Sequence, residues 1–232
     1  MTQHWVDVSR WQGIMDWSVA APLIDGAIIK MSEYQEDSQY KANVEGCIKH
    51  EVPFAVYHFW HDTVPYKDQY KMIKKLNGWD APVCLDVEGQ SCQLTSNAER
   101  TNRLLALCAE LRDNGFTPTI YTRKTIWDVK INKQPIWKTY PLWVANYQVK
   151  KPLIPRDWDD WQVWQYSNTG KASIYGCPPN VKFIDQNQVT DEWVKFYWDV
   201  QQPPVPPAPD TIQASITIDN RLYTGTLTRK DS

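Results

Sequence analysis

The sequence predicts an α/β barrel followed by a proline-rich spacer and a short β-hairpin. Three features of its 232 residues carry this expectation. Eight short apolar runs recur along the chain. Several are apolar at nearly every position, as strands covered on both faces require. Helical patterns fill the gaps between the early runs and fade past about residue 135, while strand signals continue. A stretch dense in proline then interrupts the pattern after residue 200.

The strand candidates, in order, are His4–Ser9, Ala27–Met31, Pro53–Trp60, Pro82–Glu88, Thr117–Thr122, Pro141–Tyr147, Trp161–Ser167 and Val181–Asp185. Between them, Tyr40, Val44, Cys47 and Ile48 recur at helical spacing. Tyr66, Tyr70, Ile73 and Asn77 mark a weaker stripe. The strongest helix runs from Asn97 to Asn114. Ser96 caps it, Glu99 completes a capping box, and Gly115 ends it. Leu104, Leu107, Cys108 and Leu111 form its apolar face. These elements assign residues 1–200 to the barrel. Residues 201–210 read as a semi-rigid polyproline spacer rising roughly 3 Å per residue. In residues 211–232, Ala214–Ile218 and Leu222–Leu227 alternate apolar and polar around a turn at Asp219-Asn220. One hairpin is too small to stand alone. It is expected to pair with the barrel, with a further module, or with a second copy by self-association through residues 211–232.

Composition excludes several classes. Hydrophobic residues make up 42% and the net charge is -2, which suits a globular protein and offers no basic stripe for nucleic acid. No run of about 18 apolar residues occurs, so no membrane span is expected. The start, MTQHWVDVSRWQG, lacks a basic region followed by an apolar stretch, so no signal peptide is expected. The five cysteines lack regular spacing and read as small buried hydrophobes made in a reducing compartment. The chain has 13 Trp and 12 Tyr against 5 Phe. Flat rings with polar handles suit either sugar faces or an aromatic-rich core.

The central chemical signal is Val83-Cys84-Leu85-Asp86-Val87-Glu88. Side chains alternate along a strand, so Asp86 and Glu88 share one face with Cys84 deeper, while Leu85 and Val87 point away. An Asp-x-Glu pair by itself is common in solvated turns. At the C-terminal end of a buried strand it is costly as structure, and there an α/β barrel keeps its active site. Neighbouring carboxylates push each other's pKa apart, so one can stay protonated as an acid. Asp7 ends the first run and Asp185 the last. First and last strands adjoin in a closed barrel, which brings both acids toward Asp86 and Glu88. The alternative for Asp7 is a helix cap or loop hydrogen-bonder. Four converging acids suit glycoside hydrolysis better than a metal. His58 and His61 form an HxxH pair that a strand would aim to opposite sides, so no metal or cofactor is expected.

The chain resembles the glycoside hydrolase family 25 lysozymes over roughly residues 5–190. The likeness runs in order through Asp7-Val8-Ser9, Gln12-Gly13, Asp16-Trp17, Ile28-Ile29-Lys30 with Glu33 and Asp37, Asn43, and Tyr57-His58-Phe59. It continues through Leu85-Asp86-Val87-Glu88, Ile120-Tyr121-Thr122, Leu142-Trp143-Val144-Ala145, Trp164-Gln165-Tyr166-Ser167 and Asp185-Gln186-Asn187. The resemblance implies a distorted TIM-like (β/α)5(β)3 barrel. It also implies hydrolysis of the β-1,4 bond between N-acetylmuramic acid and N-acetylglucosamine in bacterial peptidoglycan. Glu88 takes the place of the general acid and Asp86 that of the carboxylate beside it, with Asp7 and Asp185 as supporting acids. Tyr57, Tyr121 and Trp143 match aromatics lining the groove, and Lys30, Glu33 and Gln165 stand among the substrate-binding positions. The family usually has Gly after the Glu of the second-strand loop; here Tyr34 follows Glu33.

Two mechanisms fit the pair: direct attack by Asp86, or attack by the substrate's own N-acetyl carbonyl with Asp86 orienting it. The resemblance favours the second, a retaining, substrate-assisted reaction. A chitinase-like glycosidase would carry a longer run of acids upstream, where Ala81 and Val83 stand. A wall-binding module without turnover would not need all four acids. A wall hydrolase without a signal peptide fits a phage or prophage endolysin. It would be made in the host cytoplasm and reach the wall through holin-type membrane holes or from the virion.

Overall fold

The computed structural model describes residues 1–94, 96–198, 211–218 and 221–228. Its contacts divide the chain into two compact units, Met1–Trp193 and Val194–Ser232.

In the first unit, eight strands close a barrel in chain order. They are β1 (Thr2–Val8), β2 (Gly26–Ser32), β3 (Phe54–Phe59), β4 (Val83–Asp86), β5 (Thr119–Thr122), β6 (Leu142–Ala145), β7 (Val163–Lys171) and β8 (Phe183–Thr190). Helices α1 (Trp17–Ala20), α2 (Tyr40–Lys49), α3 (Tyr66–Leu76), α4 (Asn97–Asp113) and α5 (Lys124–Lys130) follow the first five strands. Among the described residues no helix lies between β6 and β7, one 3-10 turn (Ala172–Tyr175) follows β7, and α6 (Asp191–Trp198) follows β8. This is the mixed α/β barrel the sequence predicts, with five βα units and then three barer strands.

One difference concerns β8. The sequence reading ends the last strand at Asp185, whereas β8 starts at Phe183 and runs on to Thr190. β1 to β7 are parallel to their chain neighbours, but β8 pairs antiparallel with both β7 and β1. The start of β8 therefore lies at the rim where the other strands end, and Asp185 falls directly opposite Asp7 in the register. The expected proximity holds because the strand is reversed.

Alternation sets two layers of packing. Val6, Val8, Ile29, Val56, Leu85, Val87, Ile120 and Val144 point outward and join the helices in one buried cluster. At the floor of the barrel, Trp193 Nε1 donates to Thr119 Oγ1 at 2.9 Å and the Trp193 ring meets Trp5 edge-on at 5.5 Å. Trp5, Trp60, Trp127, Trp137, Trp143 and Trp193 are all fully buried, so most of the aromatic excess builds core. All five cysteines are buried and free.

α4 forms with the Ser96 cap expected, but Glu99 does not complete the capping box. Ser96 Oγ accepts from Glu99 N at 3.2 Å, and the helix ends before Gly115 at φ 89°. The Glu99 carboxylate pairs with Arg103 at 2.6 Å. Leu104, Leu107, Cys108 and Leu111 are buried as expected; in α2, by contrast, Ile48 is half exposed. Arg100 of α4 is buried, and its Nε donates to the buried Asp62 Oδ2 at 2.9 Å. Asp62 also accepts from the backbone N–H groups of Gln93 and Leu94, which tethers the segment after β4.

In the second unit, β9 (Thr211–Ile218) and β10 (Arg221–Thr228) pair antiparallel, with Ile218 opposite Arg221 and Thr211 opposite Thr228. The spacer expected over 201–210 and the turn at Asp219-Asn220 lie outside the described residues.

Candidate active site

The rim where β1–β7 end gathers the acids. Asp86 closes β4, and Glu88 follows in extended backbone at φ -113°, ψ 173°, so the alternation of the strand continues through both. The Glu88 N–H donates to Ser91 Oγ at 3.1 Å, and that hydroxyl donates back to Glu88 O at 2.8 Å. This clasp holds the turn directly after the strand. Glu88 is half-buried and Asp86 buried. Asp7, Asp86 and Glu88 lie within one another's electrostatic reach, and Cys84 lies within that of Asp7 and Asp86, as the period-two spacing predicts for one face of the strand.

Burial dominates the titration of the deep acids. It pushes Asp86 well above the ordinary carboxylate value; the charges of Glu88 and Asp7 push the same way and Lys30 opposes them. Asp7 is raised to about 6, chiefly by burial. Asp185 is raised to about 8 by burial and by the charges of Asp7 and Glu88, and its carboxyl hydrogen-bonds Asp7. The three deep acids therefore hold their protons to higher pH than free carboxyls and titrate as coupled groups. Asp86 Oδ1 is buried without a hydrogen bond from the protein. Such an oxygen is costly unless a bound group completes it.

Asp7 is held by a polar network. Its Oδ2 accepts from Gln165 Nε2 at 2.9 Å and from Asn187 Nδ2 at 2.8 Å. Gln165 Oε1 accepts from Tyr121 Oη at 2.9 Å and Tyr147 Oη at 2.7 Å, while Asn187 Oδ1 accepts from Trp143 Nε1 at 2.9 Å. An indole N–H can only donate, so Asn187 must turn its carbonyl to Trp143 and its amide hydrogens to Asp7. The sequence reading placed Gln165 among the substrate contacts. In the fold its amide is engaged by Tyr121, Tyr147 and Asp7, because β7 carries it behind Asp7. Trp143 stacks edge-on with Tyr121 at 4.5 Å and Tyr57 at 6.1 Å, making an aromatic wall beside the acids.

Lys30 is buried, and its Nζ lies 3.0 Å from Glu33 and 4.9 Å from the Phe59 ring centre. Burial raises Glu33, but Lys30 and His61 outweigh it and hold that carboxyl below its usual value. The two histidines of the HxxH pair have separate surroundings. His58 bonds Ser32 and Gln69, and burial lowers its pKa to about 4. His61 bonds Tyr34 and Glu33. Among the described residues no group of His, Cys, Asp or Glu is arranged to hold a metal ion.

Two depressions flank the acids. One of about 230 Å³ is lined by Arg10, Lys30, Glu33, Tyr34, Gln35 and Asp37, from the segments after β1 and β2. The other, about 290 Å³, is lined by Arg123, Lys124, Thr125, Ala145, Asn146, Tyr147 and Leu153, after β5 and β6. In a closed eight-stranded barrel these pairs of strands stand on opposite sides. The two depressions thus lie on opposite sides of the barrel mouth. Tyr147 and Arg123 had no assigned role in the sequence reading, and Asn187 appeared there only within the Asp185-Gln186-Asn187 stretch that carries the family resemblance. Arg123 donates to Tyr147 Oη at 3.0 Å. The advance signal for Arg123 and Tyr147 was their position just after strands at the rim.

A closed barrel with inward acids at its mouth and aromatic walls defines a glycoside hydrolase. The family described as Glycosyl hydrolases family 25 matches residues 6–174, and the chain belongs to it. Among relatives, it is 26% identical over 214 residues to the uncharacterized protein YegX of Escherichia coli K12, covering 88% of this chain and 76% of that one. It is also 26% identical over 183 residues to Lysozyme M1 of Streptomyces globisporus, covering 72% of this chain and 62% of the relative. The crystal structure of the bacterial lysozyme from Streptomyces coelicolor superposes with a TM-score of 0.73 at 25% identity, covering 81% of this chain and 91% of that one.

Proposed function

We propose that this chain is a lysozyme of the N-acetylmuramidase type, acting on bacterial peptidoglycan at the β-1,4 bond between N-acetylmuramic acid and N-acetylglucosamine, with retention. The observation that carries the reading is the inward pair Asp86 and Glu88 at the barrel mouth, in mutual electrostatic contact and with a depression on either side of the mouth. Membership of family 25 and the likeness to two lysozymes support the substrate class.

Glu88, nearer the solvent, donates a proton to the leaving glycosidic oxygen as the bond to the anomeric carbon breaks. The acetamido carbonyl oxygen of the same sugar attacks that carbon and forms a cyclic intermediate. Asp86, drawn to its carboxylate form by the charge of Lys30 and by the positive charge growing on the acetamido group, accepts from the acetamido N–H through the oxygen left free of protein donors. Glu88, now a carboxylate, takes a proton from water as the water oxygen opens the ring, which restores the original configuration. Asp7 and Asp185 set the field behind the pair. Tyr57, Tyr121 and Trp143 shape the wall against the sugar.

The test is turnover on purified Gram-positive walls, with analysis of the new reducing ends. Muramic acid ends support the reading, and glucosamine ends overturn it. Glu88→Gln should abolish cleavage with the fold intact, and Asp86→Asn should cost orders of magnitude. A cyclic thiazoline mimic of the intermediate should inhibit competitively; no inhibition would favour direct attack by Asp86.

For residues 201–232 we propose a spacer and a packing or self-association element outside the catalytic barrel of residues 1–200. Solution mass and wall affinity of a chain ending at Gln202 test this; if neither changes, the hairpin is a passive tail. No helix among the described residues is long and apolar enough to cross a membrane. The five buried free thiols suit synthesis in a reducing compartment, as an endolysin released later to the wall would have.

A further inference from the structure

We propose that Tyr34, with Asp37 and Arg10, forms a sugar subsite on the β1–β2 side of the mouth, which takes an N-acetylated ring of the glycan beyond the two that flank the cleaved bond. The inference rests on the glycan-hydrolase reading above and adds a residue that sets how the strand is gripped.

Tyr34 is held rigidly at the tip of a closed loop. Ser32 bridges Glu36, and Glu33 N donates to Gln35 O at 3.0 Å. The ring stacks on His61 with centroids 4.1 Å apart and planes 21° apart, and its hydroxyl bonds His61 Nδ1 at 2.9 Å. His61 in turn bonds Glu33, and Glu33 bonds Lys30. One ring face is thus backed. Tyr34 remains 56% exposed and lines the depression of about 230 Å³. A fixed aromatic face open to a small depression matches the apolar C–H face of a pyranose, at low entropic cost.

The polar groups beside it match the substituents of such a ring. Asp37 is only 3% exposed, yet it lines the same depression. Its Oδ1 accepts from Gln39 N at 3.0 Å, and its Oδ2 is buried without a partner. A lone buried carboxylate oxygen calls for a donor, which a sugar hydroxyl or acetamido N–H supplies. Arg10, at the rim and 5.0 Å from the Trp11 ring, offers guanidinium N–H groups to an acetamido carbonyl. Lys30 is already engaged by Glu33. The two cations, Arg10 and Lys30, are balanced by the two acids, Glu33 and Asp37, so the depression has no surplus positive charge to select the carboxylates of a stem peptide.

The test is calorimetric binding of peptide-free glycan oligomers to the full chain in a Glu88→Gln background, which removes turnover. Oligomers of one and of three disaccharide units are compared. The longer oligomer is expected to bind at least about tenfold more tightly, equivalent to about 1.4 kcal/mol. Adding Tyr34→Gly should erase that length advantage, and Tyr34→Phe, which keeps the ring, should preserve most of it. Circular dichroism checks that each variant is folded. A Tyr34→Gly variant with the full length advantage overturns the subsite. Equal losses for short and long oligomers also overturn it, since they would place the effect in the Glu33–Lys30 chain beside Asp86. So does a Tyr34→Phe loss as large as that of glycine, or a length advantage seen only when stem peptides are present. Wild-type cleavage of walls without any length advantage refutes the subsite alone, whereas absence of any glycan binding refutes the functional reading with it.

Discussion

Replacing Asn187 by leucine tests the network behind Asp7. Leucine is close to asparagine in shape and leaves little cavity, so the change isolates polar partners. Two bonds go: the 2.9 Å bond from Trp143 Nε1 and the 2.8 Å bond to Asp7 Oδ2. An indole N–H left buried and unsatisfied costs about 1–3 kcal/mol, and a donor lost from an ionised carboxylate about 1.5–3 kcal/mol. The sum is about 2.5–6 kcal/mol when Asp7 is charged. Asp7 titrates at about 6, and Asn187 is one of the groups that hold it down against burial. Without that donor the pKa rises further, and each unit adds about 1.4 kcal/mol to the cost above that pH. At pH 5 the carboxyl is already protonated, so the loss falls to about 1.5–4.5 kcal/mol, that of the orphaned indole and a neutral bond. Urea denaturation of wild type and Asn187→Leu at pH 5 and pH 8 measures both values. A cost below about 1 kcal/mol, or the same cost at both pH values, would refute the claim that Asn187 supports a charged Asp7.

Three further outcomes follow from the geometry. Arg100→Met strands the buried Asp62 carboxylate; its two backbone donors remain, so the loss should be about 3 kcal/mol, at the low end for a broken buried pair, read from urea unfolding. Asp185, raised to about 8, binds its proton more tightly folded than unfolded. Its contribution is therefore full below about pH 4 and is lost as pH climbs toward 8. Wild type should be less stable at pH 8 than at pH 5, and Asp185→Asn should flatten that slope by more than about 1 kcal/mol in melting experiments. Gly46→Ala drives a Cβ into the Trp17 ring. Overpacking of about 1–3 kcal/mol should outweigh the helix-propensity gain of up to about 1 kcal/mol, so the melting temperature falls.

The parts of the site legible in the sequence are those with a short period. Cys84, Asp86 and Glu88 share a face because alternation is a property of the strand itself. Ser96 and Gly115 bound α4 because capping is a matter of a few neighbouring residues. The groups around Asp7 had no such signal. Gln165 and Asn187 lie 158 and 180 residues away in sequence, and nothing local to either says which partner its amide will meet. Tyr34 was visible only as an unexpected side chain; its stacking on His61, 27 residues on, belongs to the folded loop.

The amino-acid sequence by itself therefore determined eight strands, though not the extent of the last, the helices α2, α3 and α4, and the pairing of Asp86 with Glu88 on one face. Tertiary structure alone decided that β8 runs antiparallel, which sets Asp185 against Asp7, and that Asp62 is neutralised by Arg100. The division has a physical cause. Periodicity and capping are fixed by backbone geometry within a few residues, whereas a buried polar group is satisfied by whichever donors barrel closure brings to it. Those donors are chosen by the path of the whole chain.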